Sequence, residues 1–324
     1  MNGPAAISAV IPTRNRQGAL ARMLESLLGQ ETVPAELLIV DASTTDATEK
    51  LAQSFAARFS KRGCTLTWFA AKSTGAAVQR NQGLALVSQP TIAFFDDDIL
   101  FEEHCLGRLY RALQSDSKLG GVNAMIINQR YQSPGRVSRL MFRIMAGHSQ
   151  KSYAGRLLGP AINLLPEDNA GLPEVVPAEW LNTTCTLYRR EALPEPAFAP
   201  FFTGYSMMED VALSVRVGCD WKLANARTAR IYHDSQAADY KSDLAALARL
   251  ELLNRHYVMT EILGRRRARD YGKLALWEVF QLSTCALQKR FGREFRQRLK
   301  GKCQGVAAIV VGASKKSPGQ CAPH

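Results

Sequence analysis

Thr91-Ile92-Ala93-Phe94-Phe95-Asp96-Asp97-Asp98 is a short, mostly apolar run that ends in three adjacent carboxylates. The run reads as a buried strand. In an α/β sheet the carboxyl end of a strand opens onto the ligand crevice. Three neighbouring acids repel one another there unless a hard cation neutralises them. Oxygen ligands select Mg²⁺ or Mn²⁺, ions that keep waters and bind substrate phosphates. If the strand alternation persists, Asp96 and Asp98 share one side. The competing reading is a solvated acidic turn that caps the next helix.

The flanking sequence supplies the rest of such a sheet. Ala6–Ile11, Glu36–Val40, Thr65–Phe69 and Gly121–Ile127 read as further strands. Between them lie helical patterns: a helix carrying Leu20, Met23, Leu24, Leu27 and Leu28, a second from Asp46 as N-cap through Phe59, then Gly75–Val87 and Glu102–Leu113. Strands alternating with helices predict an α/β fold, a mostly parallel central sheet with helices on both faces. The alternation stops over Asn128–Pro177, which is irregular and basic. Regular elements resume as a strand at Trp180–Tyr188, a helix at Ser206–Val217, and two short strands at Trp221–Leu223 and Arg230–His233. From Asp239 to about Lys300 the pattern is helical, interrupted near Gly264 and Gly292, and Ser314–His324 reads as a loose tail.

Three more segments carry chemistry. Glu209-Asp210 opens an apolar-periodic run, so one carboxylate is a candidate proton acceptor for an incoming hydroxyl; helix-dipole capping is the alternative. His233 ends a strand and is a candidate metal ligand or diphosphate donor, although a lone histidine is more often structural. Val10-Ile11-Pro12-Thr13-Arg14-Asn15-Arg16 leads a strand into a polar loop, and Asp41 ends the next strand. Loops at adjacent strand ends are where a nucleotide sits, and ordinary turn chemistry is the competing account.

Composition bounds the class. The 324 residues are 46% hydrophobic and 22% charged, which is globular, with a net charge of +12. The seven scattered cysteines form no CxxC pair, so a reducing cytoplasm is expected rather than a disulfide framework. Neither a secretory signal pattern nor an apolar run of spanning length is visible. The positive excess is local: residues 249–302 hold 14 Lys+Arg against 5 Asp+Glu, and Ser117–Pro166 holds seven basic residues and no acid. Such excess calls for an acidic partner.

Taken together, Val10–Arg16, Ile39–Asp46 (IVDASTTD), Gly75–Gly83 (GAAVQRNQG), Phe94–Asp98, Thr184–Arg190 (TCTLYRR) and Met208–Leu213 (MEDVAL) resemble, in order over roughly residues 7–235, the family-2 glycosyltransferases. The resemblance implies a GT-A nucleotide-binding domain and inverting transfer of a single sugar from a nucleotide-diphosphate donor, in bacterial cell-surface polysaccharide or glycolipid assembly. By that resemblance Pro12, Thr13 and Arg14 line the base pocket and Asp41 reads the base. Arg80 and Asn81 lie near the ribose or diphosphate. Asp96 and Asp97 belong to the donor site, Asp98 with His233 holds Mg²⁺ or Mn²⁺, and Asp210 is the base, with Glu209 positioning the acceptor. A uridine diphosphate sugar is the expected donor. Asp41-Ala42-Ser43-Thr44 lacks the second carboxylate common in the family, and no Gln-x-x-Arg-Trp motif occurs, so a processive synthase is not expected.

The expected domains are 1–235 (donor half 1–127, acceptor half 128–235), a helical basic extension 236–313 and a tail 314–324. Within Arg136–Ala146, Val137, Leu140, Met141, Ile144 and Met145 follow helical spacing, with Arg136, Arg139 and Arg143 around the other side. This predicts a basic amphipathic helix that either rests on an anionic cytoplasmic membrane face, near a glycan or lipid-linked glycan acceptor, or packs on the domain with its arginines in water. Two other functions are weighed. A nucleotidyltransferase needs a Gly-rich loop after the first strand, whereas Pro12–Arg16 holds no glycine. A nucleic-acid binder would interleave aromatics with its basic residues and leaves the acidic triplet without a role, so no nucleic acid is expected.

Overall fold

The computed structural model describes residues 4–235, 243–289 and 292–315. The described residues form two compact units, one over 4–235 and one over 243–315.

The first unit is built on one sheet. In chain order its elements are β1 (Ala5–Thr13), α1 (Gln17–Leu28), β2 (Pro34–Asp41), α2 (Ala47–Ser60), β3 (Thr65–Ala70), α3 (Ala76–Leu84), β4 (Thr91–Phe95), β5 (Ile99–Phe101), α4 (Cys105–Gln114) and β6 (Leu119–Ile126). They continue as α5 (Arg136–Ala146), β7 (Leu157–Leu158), β8 (Ile162–Asn163), β9 (Val175–Ala178), β10 (Cys185–Arg189), α6 (Glu209–Val217) and β11 (Lys222–His233). The sheet order is β3-β2-β1-β4-β10-β6-β11-β5, with β9 paired to β11. The β3-β2-β1-β4 half is parallel throughout, as alternating strand and helix requires. β10 enters antiparallel between β4 and β6, which places its residues beside the acidic end of β4.

The core is the two-sided apolar run that the strands announce: Ile7, Ala9 and Ile11 of β1, Ile39 of β2, Ala93 and Phe95 of β4, packed under Leu20, Met23, Leu24 and Leu27 of α1. α3 packs tightly on β1 and β2. A Cβ on Gly83 would sit 2.4 Å from Val10 Cγ1, so only glycine lets this helix approach β1. Gln79, one turn earlier, donates to both Thr13 O (3.0 Å) and Val40 O (2.7 Å), tying the ends of β1 and β2 together.

Several sequence expectations change. The strand expected at Trp180–Tyr188 begins only at Cys185; before it, Leu181 N donates to Ser214 Oγ instead of joining a ladder. The two short strands expected at Trp221–Leu223 and Arg230–His233 are one strand, β11, with a register shift between Ala226 and Arg230. The intervening Ala224–Ala229 is small and polar, which hides it from a hydrophobic pattern, yet Asn225 is buried and bonds the Asn123 side chain at 3.0 Å. Asp46 stands at the N-cap of α2 but makes no capping hydrogen bond; it pairs with Lys50 at 2.7 Å. β5 and β9 had no counterpart in the sequence reading, being three and four residues long.

α5 forms over the expected residues, with a different inner face. Phe142 and Met145 are the buried pair, Phe142 stacking edge-on with Tyr153 at 5.7 Å. Val137, Leu140 and Ile144 remain 70%, 57% and 41% exposed. The aromatic ring and the close fit of Met145 over Gly159 choose the face, not the aliphatic count.

The second unit comprises α7 (Leu244–Tyr257), a π-helical turn at Val258–Ile262, α8 (Ala268–Lys289) and α9 (Arg293–Lys315). Gly301 and Gly305 let α9 lie against α7: a Cβ on Gly301 would fall 2.1 Å from Ala245 O. Inside sits a four-charge cluster. Lys302 Nζ lies 2.9 Å from Glu251 and 2.6 Å from Glu278, and Arg255 lies 3.0 and 3.4 Å from the same two acids. Ser314 and Lys315 of the expected tail end α9, and 316–324 lie outside the described residues. So do residues 290–291, beside the expected break near Gly292.

Candidate active site

β4 stops at Phe95, and Asp96-Asp97-Asp98 form a turn before β5. Strand alternation therefore does not orient these acids. The turn does, and it sends them to different partners. Asp96 N donates to Thr184 O on the β10 side at 2.9 Å. Asp97 is buried and accepts from Thr13 Oγ1 at 2.6 Å and Arg16 at 2.7 Å. Burial pushes its carboxyl up to about 7, against the pull of Arg16 and Thr13. Asp98 meets Arg16 at 2.5 Å through Oδ2 and His233 Nε2 at 3.1 Å through Oδ1. Burial alone would raise Asp98; the bond and charge of His233 and the Arg16 charge outweigh it and hold the acid below its usual range.

His233 ends β11, which pairs antiparallel with β5 at Ile99 and so brings the ring back over the turn. Asn128 holds the His233 backbone from both sides, accepting its N–H at 3.0 Å and donating to its carbonyl at 2.9 Å. Gln129 bonds ring Nδ1 at 3.0 Å, leaving Nε2 toward the acids. Asp96, Asp98 and His233 can each place one ligand atom within 4.8 Å of the others. Two carboxylates and one imidazole, oriented by a second layer of amides, fit a divalent ion that keeps coordination positions for phosphate oxygens.

On the other flank stands Arg80, from α3. Its guanidinium bridges Asp96 (2.6 Å) and Glu209 (3.1 Å) and lies over the Phe198 ring at 5.5 Å. This one residue joins the β4 turn to the start of α6, so Glu209 and the Asp96 carboxylate share a counter-ion although 113 residues separate them. Met208, in the left-handed region at φ 69°, turns the chain into α6. Burial raises Glu209 to about 8 and Asp210 to about 6, Asp210 adding to the effect on Glu209. Asp210 accepts from Val211 N at 2.8 Å.

The remaining sequence candidates divide. Pro12 and Thr13 are buried at the end of β1, and Arg14 is exposed. Asp41, 5% exposed, accepts from Ser43 N at 2.8 Å and Trp68 Nε1 at 3.1 Å, next to Thr13 in the β1–β2 register. Asn81 is spent on the backbone of Phe198, donating at 2.8 Å and accepting at 3.0 Å, which makes it a clamp on that segment. Arg16, Gln79, Asn128 and Gln129 had no assigned role in the sequence. Their partners lie 39 to 105 residues away, and no local pattern marks them.

Residues 8–160 match the family described as glycosyl transferase family 2. An uncharacterized glycosyltransferase of Rickettsia bellii is 26% identical over 192 residues, 59% of this chain and 24% of that protein. A PGL/p-HBAD biosynthesis glycosyltransferase of Mycobacterium bovis is 29% identical over 157 residues, 47% of this chain and 60% of that protein. The matches thus span less than two thirds of either relative. Among solved structures, the mannosyltransferase PcManGT of Pyrobaculum calidifontis, in complex with GDP-Man and Mn²⁺, superposes with a TM-score of 0.54 at 13% identity, covering 96% of this chain and 88% of that one. S. aureus TarS 1–349 in complex with UDP-GlcNAc gives 0.54 at 16%, covering 94% and 81%. The parallel β3-β2-β1-β4 half, the acidic turn after β4 and the match over 8–160 agree: just under half of the chain matches glycosyl transferase family 2, and the chain has the GT-A fold.

Proposed function

We propose that this chain transfers one glycosyl residue from a nucleoside-diphosphate sugar to an acceptor hydroxyl, with inversion at the anomeric carbon and with a divalent cation, Mg²⁺ or Mn²⁺. The carrying observation is the convergence of Asp96, Asp98 and His233 beside the Arg80–Glu209 pair at one mouth of the sheet. Complexes of fold neighbours with GDP-Man and Mn²⁺ and with UDP-GlcNAc support the donor class.

In this reading Thr13 and Asp41 flank the base, with UDP-sugars the first donors to test. Asp98, His233 and Asp96 would hold the cation, which would supply positive charge to a departing diphosphate. Arg80 fixes Asp96 and Glu209 relative to each other. Asp210, raised toward neutrality by burial, takes the hydroxyl proton as the acceptor attacks from the face opposite the diphosphate. In such an attack the bond from the anomeric carbon to the diphosphate breaks as the bond to the acceptor oxygen forms, so one displacement suffices and no covalent sugar–enzyme intermediate is required.

The acceptor in this proposal is a glycan or lipid-linked glycan presented at an anionic membrane. α5 favours it: exposed Val137, Leu140 and Ile144 run beside exposed Arg136 and Arg143, within a stretch of fifty residues free of acids. Cell-envelope glycan or glycolipid assembly follows from such an acceptor. No helix among the described residues is long and apolar enough to cross a membrane.

The test is calorimetry of UDP- and GDP-sugars with Mn²⁺. Asp98→Ala is expected to abolish cation-dependent donor binding, and unchanged donor affinity in that variant removes the metal role.

A further inference from the structure

Arg16 stands where β1 passes into α1, and its guanidinium spans two acids, Asp97 Oδ1 at 2.7 Å and Asp98 Oδ2 at 2.5 Å. The other oxygen of each acid is also engaged, Asp97 by Thr13 and Asp98 by His233. Asp98 thus offers its candidate ligand atoms to groups of its own chain. An ion that binds Asp98 shares an oxygen with one of them and, if that partner is the Arg16 guanidinium, meets a like charge there.

The two competitors differ in where they stand and in how they are held. His233 is fixed through its backbone by Asn128 and through its ring by Gln129. Arg16 belongs to a loop, and its side chain is 29% exposed. Arg16 is therefore the member that can move. A guanidinium is always charged, and its planar fork fits phosphate oxygens as well as carboxylates.

We propose that Arg16 is a resident counter-cation: it holds the Asp97–Asp98 turn together before the donor arrives, yields Asp98 to the divalent ion, and swings onto the diphosphate that the ion brings. This rests on the cation-dependent diphosphate site proposed above. The exchange keeps a positive charge on Asp98 throughout, so the acidic turn never faces its own repulsion uncompensated. It also makes binding ordered in effect, because the ion alone competes with Arg16 whereas the ion with diphosphate gives the arginine a new partner. Arg16 is a positioning residue while it bridges the acids and a substrate contact afterwards.

The experiment titrates Mn²⁺ into the full chain by electron paramagnetic resonance, alone and then with UDP or GDP at saturating Mn²⁺. Arg16→Met is expected to bind Mn²⁺ alone about tenfold tighter, since a competing cation is gone, and the diphosphates about tenfold weaker, since a phosphate contact is gone. The opposite signs separate exchange from simple misfolding, which weakens both. Arg16→Lys keeps the charge without the fork, and is expected to leave Mn²⁺ affinity near that of the unaltered chain while still weakening diphosphate binding. It serves alone if Arg16→Met does not fold. Mn²⁺ binding no tighter in Arg16→Met, or diphosphate binding undiminished in either variant, overturns the proposal. If the unaltered chain binds no Mn²⁺ even with UDP or GDP, it is the reading of the site that fails instead.

Discussion

Two clusters of buried charge in this chain obey different arithmetic. In the helical unit, Glu251 and Glu278 face Arg255 and Lys302, two acids against two bases. At the mouth of the sheet, Asp96, Asp97, Asp98, Glu209 and Asp210 face Arg16, Arg80 and the ring of His233, five acids against two arginines and a histidine. The first cluster is closed: each carboxylate meets both bases, and the group ties α7, α8 and α9 together. The second leaves an acid surplus, where burial first and like charges after it push the carboxyls of Asp97 and Glu209 up. The balanced cluster ties helices together, and the unbalanced one lies at the candidate site.

The comparison breaks most sharply at Asp210. Replacing it by Asn removes an acid from the surplus cluster, so transfer is expected to fall by about 10²–10⁴-fold while donor affinity and melting temperature hold. In the unaltered chain the rate should also fall as pH drops through about 6, where this base becomes protonated. Retained turnover in Asp210→Asn removes it as the base.

Lys302→Met does the reverse. It takes a cation from the balanced cluster and strands two carboxylates, so the helical unit should lose about 3–5 kcal/mol in denaturant melts followed by circular dichroism. The same cluster predicts acid sensitivity. Lys302 and Arg255 hold Glu251 below its usual value of 4.5 despite its burial, so its contribution is present above that value and is lost as pH falls through the lowered one. A melt unchanged by Lys302→Met denies that the cluster is closed.

α5 carries an imbalance of the opposite sign. Its three arginines are exposed, in a stretch, 117–166, that holds no Asp or Glu. Neutralising Arg136, Arg139 and Arg143 to Gln should weaken co-sedimentation with anionic vesicles at low salt by about 1 kcal/mol for each arginine. Equal recovery of variant and parent leaves α5 a merely solvated helix.

The sequence carried the part of this that is local. A strand ending in acid, helices between apolar runs and Glu209-Asp210 opening a periodic segment are short-range signals, and the parallel half of the sheet follows from them. The rest depends on distant pairs. Arg16 reads as loop polarity until the turn 81 residues later lies against it. Arg80 sits in a recognisable motif, yet only the structure shows one guanidinium shared by Asp96 and Glu209. Asn81 sits in the same motif, and only the structure shows its side chain clamping the backbone of Phe198. The stretch 249–302 reads as surplus positive charge, and its packing turns Lys302 and Arg255 inward onto acids. In α5 the count of aliphatic residues pointed to one face while ring packing selected another.

The clamp at Asn81 has a mechanical side. Phe198 is pinned to α3 through its backbone, and Gly204 bridges Gly75 at the head of the same helix. The strap that leads into α6 is thus bolted at two points to the strut that carries Arg80. Displacing the strap would displace α3, and with it the guanidinium that Asp96 and Glu209 share.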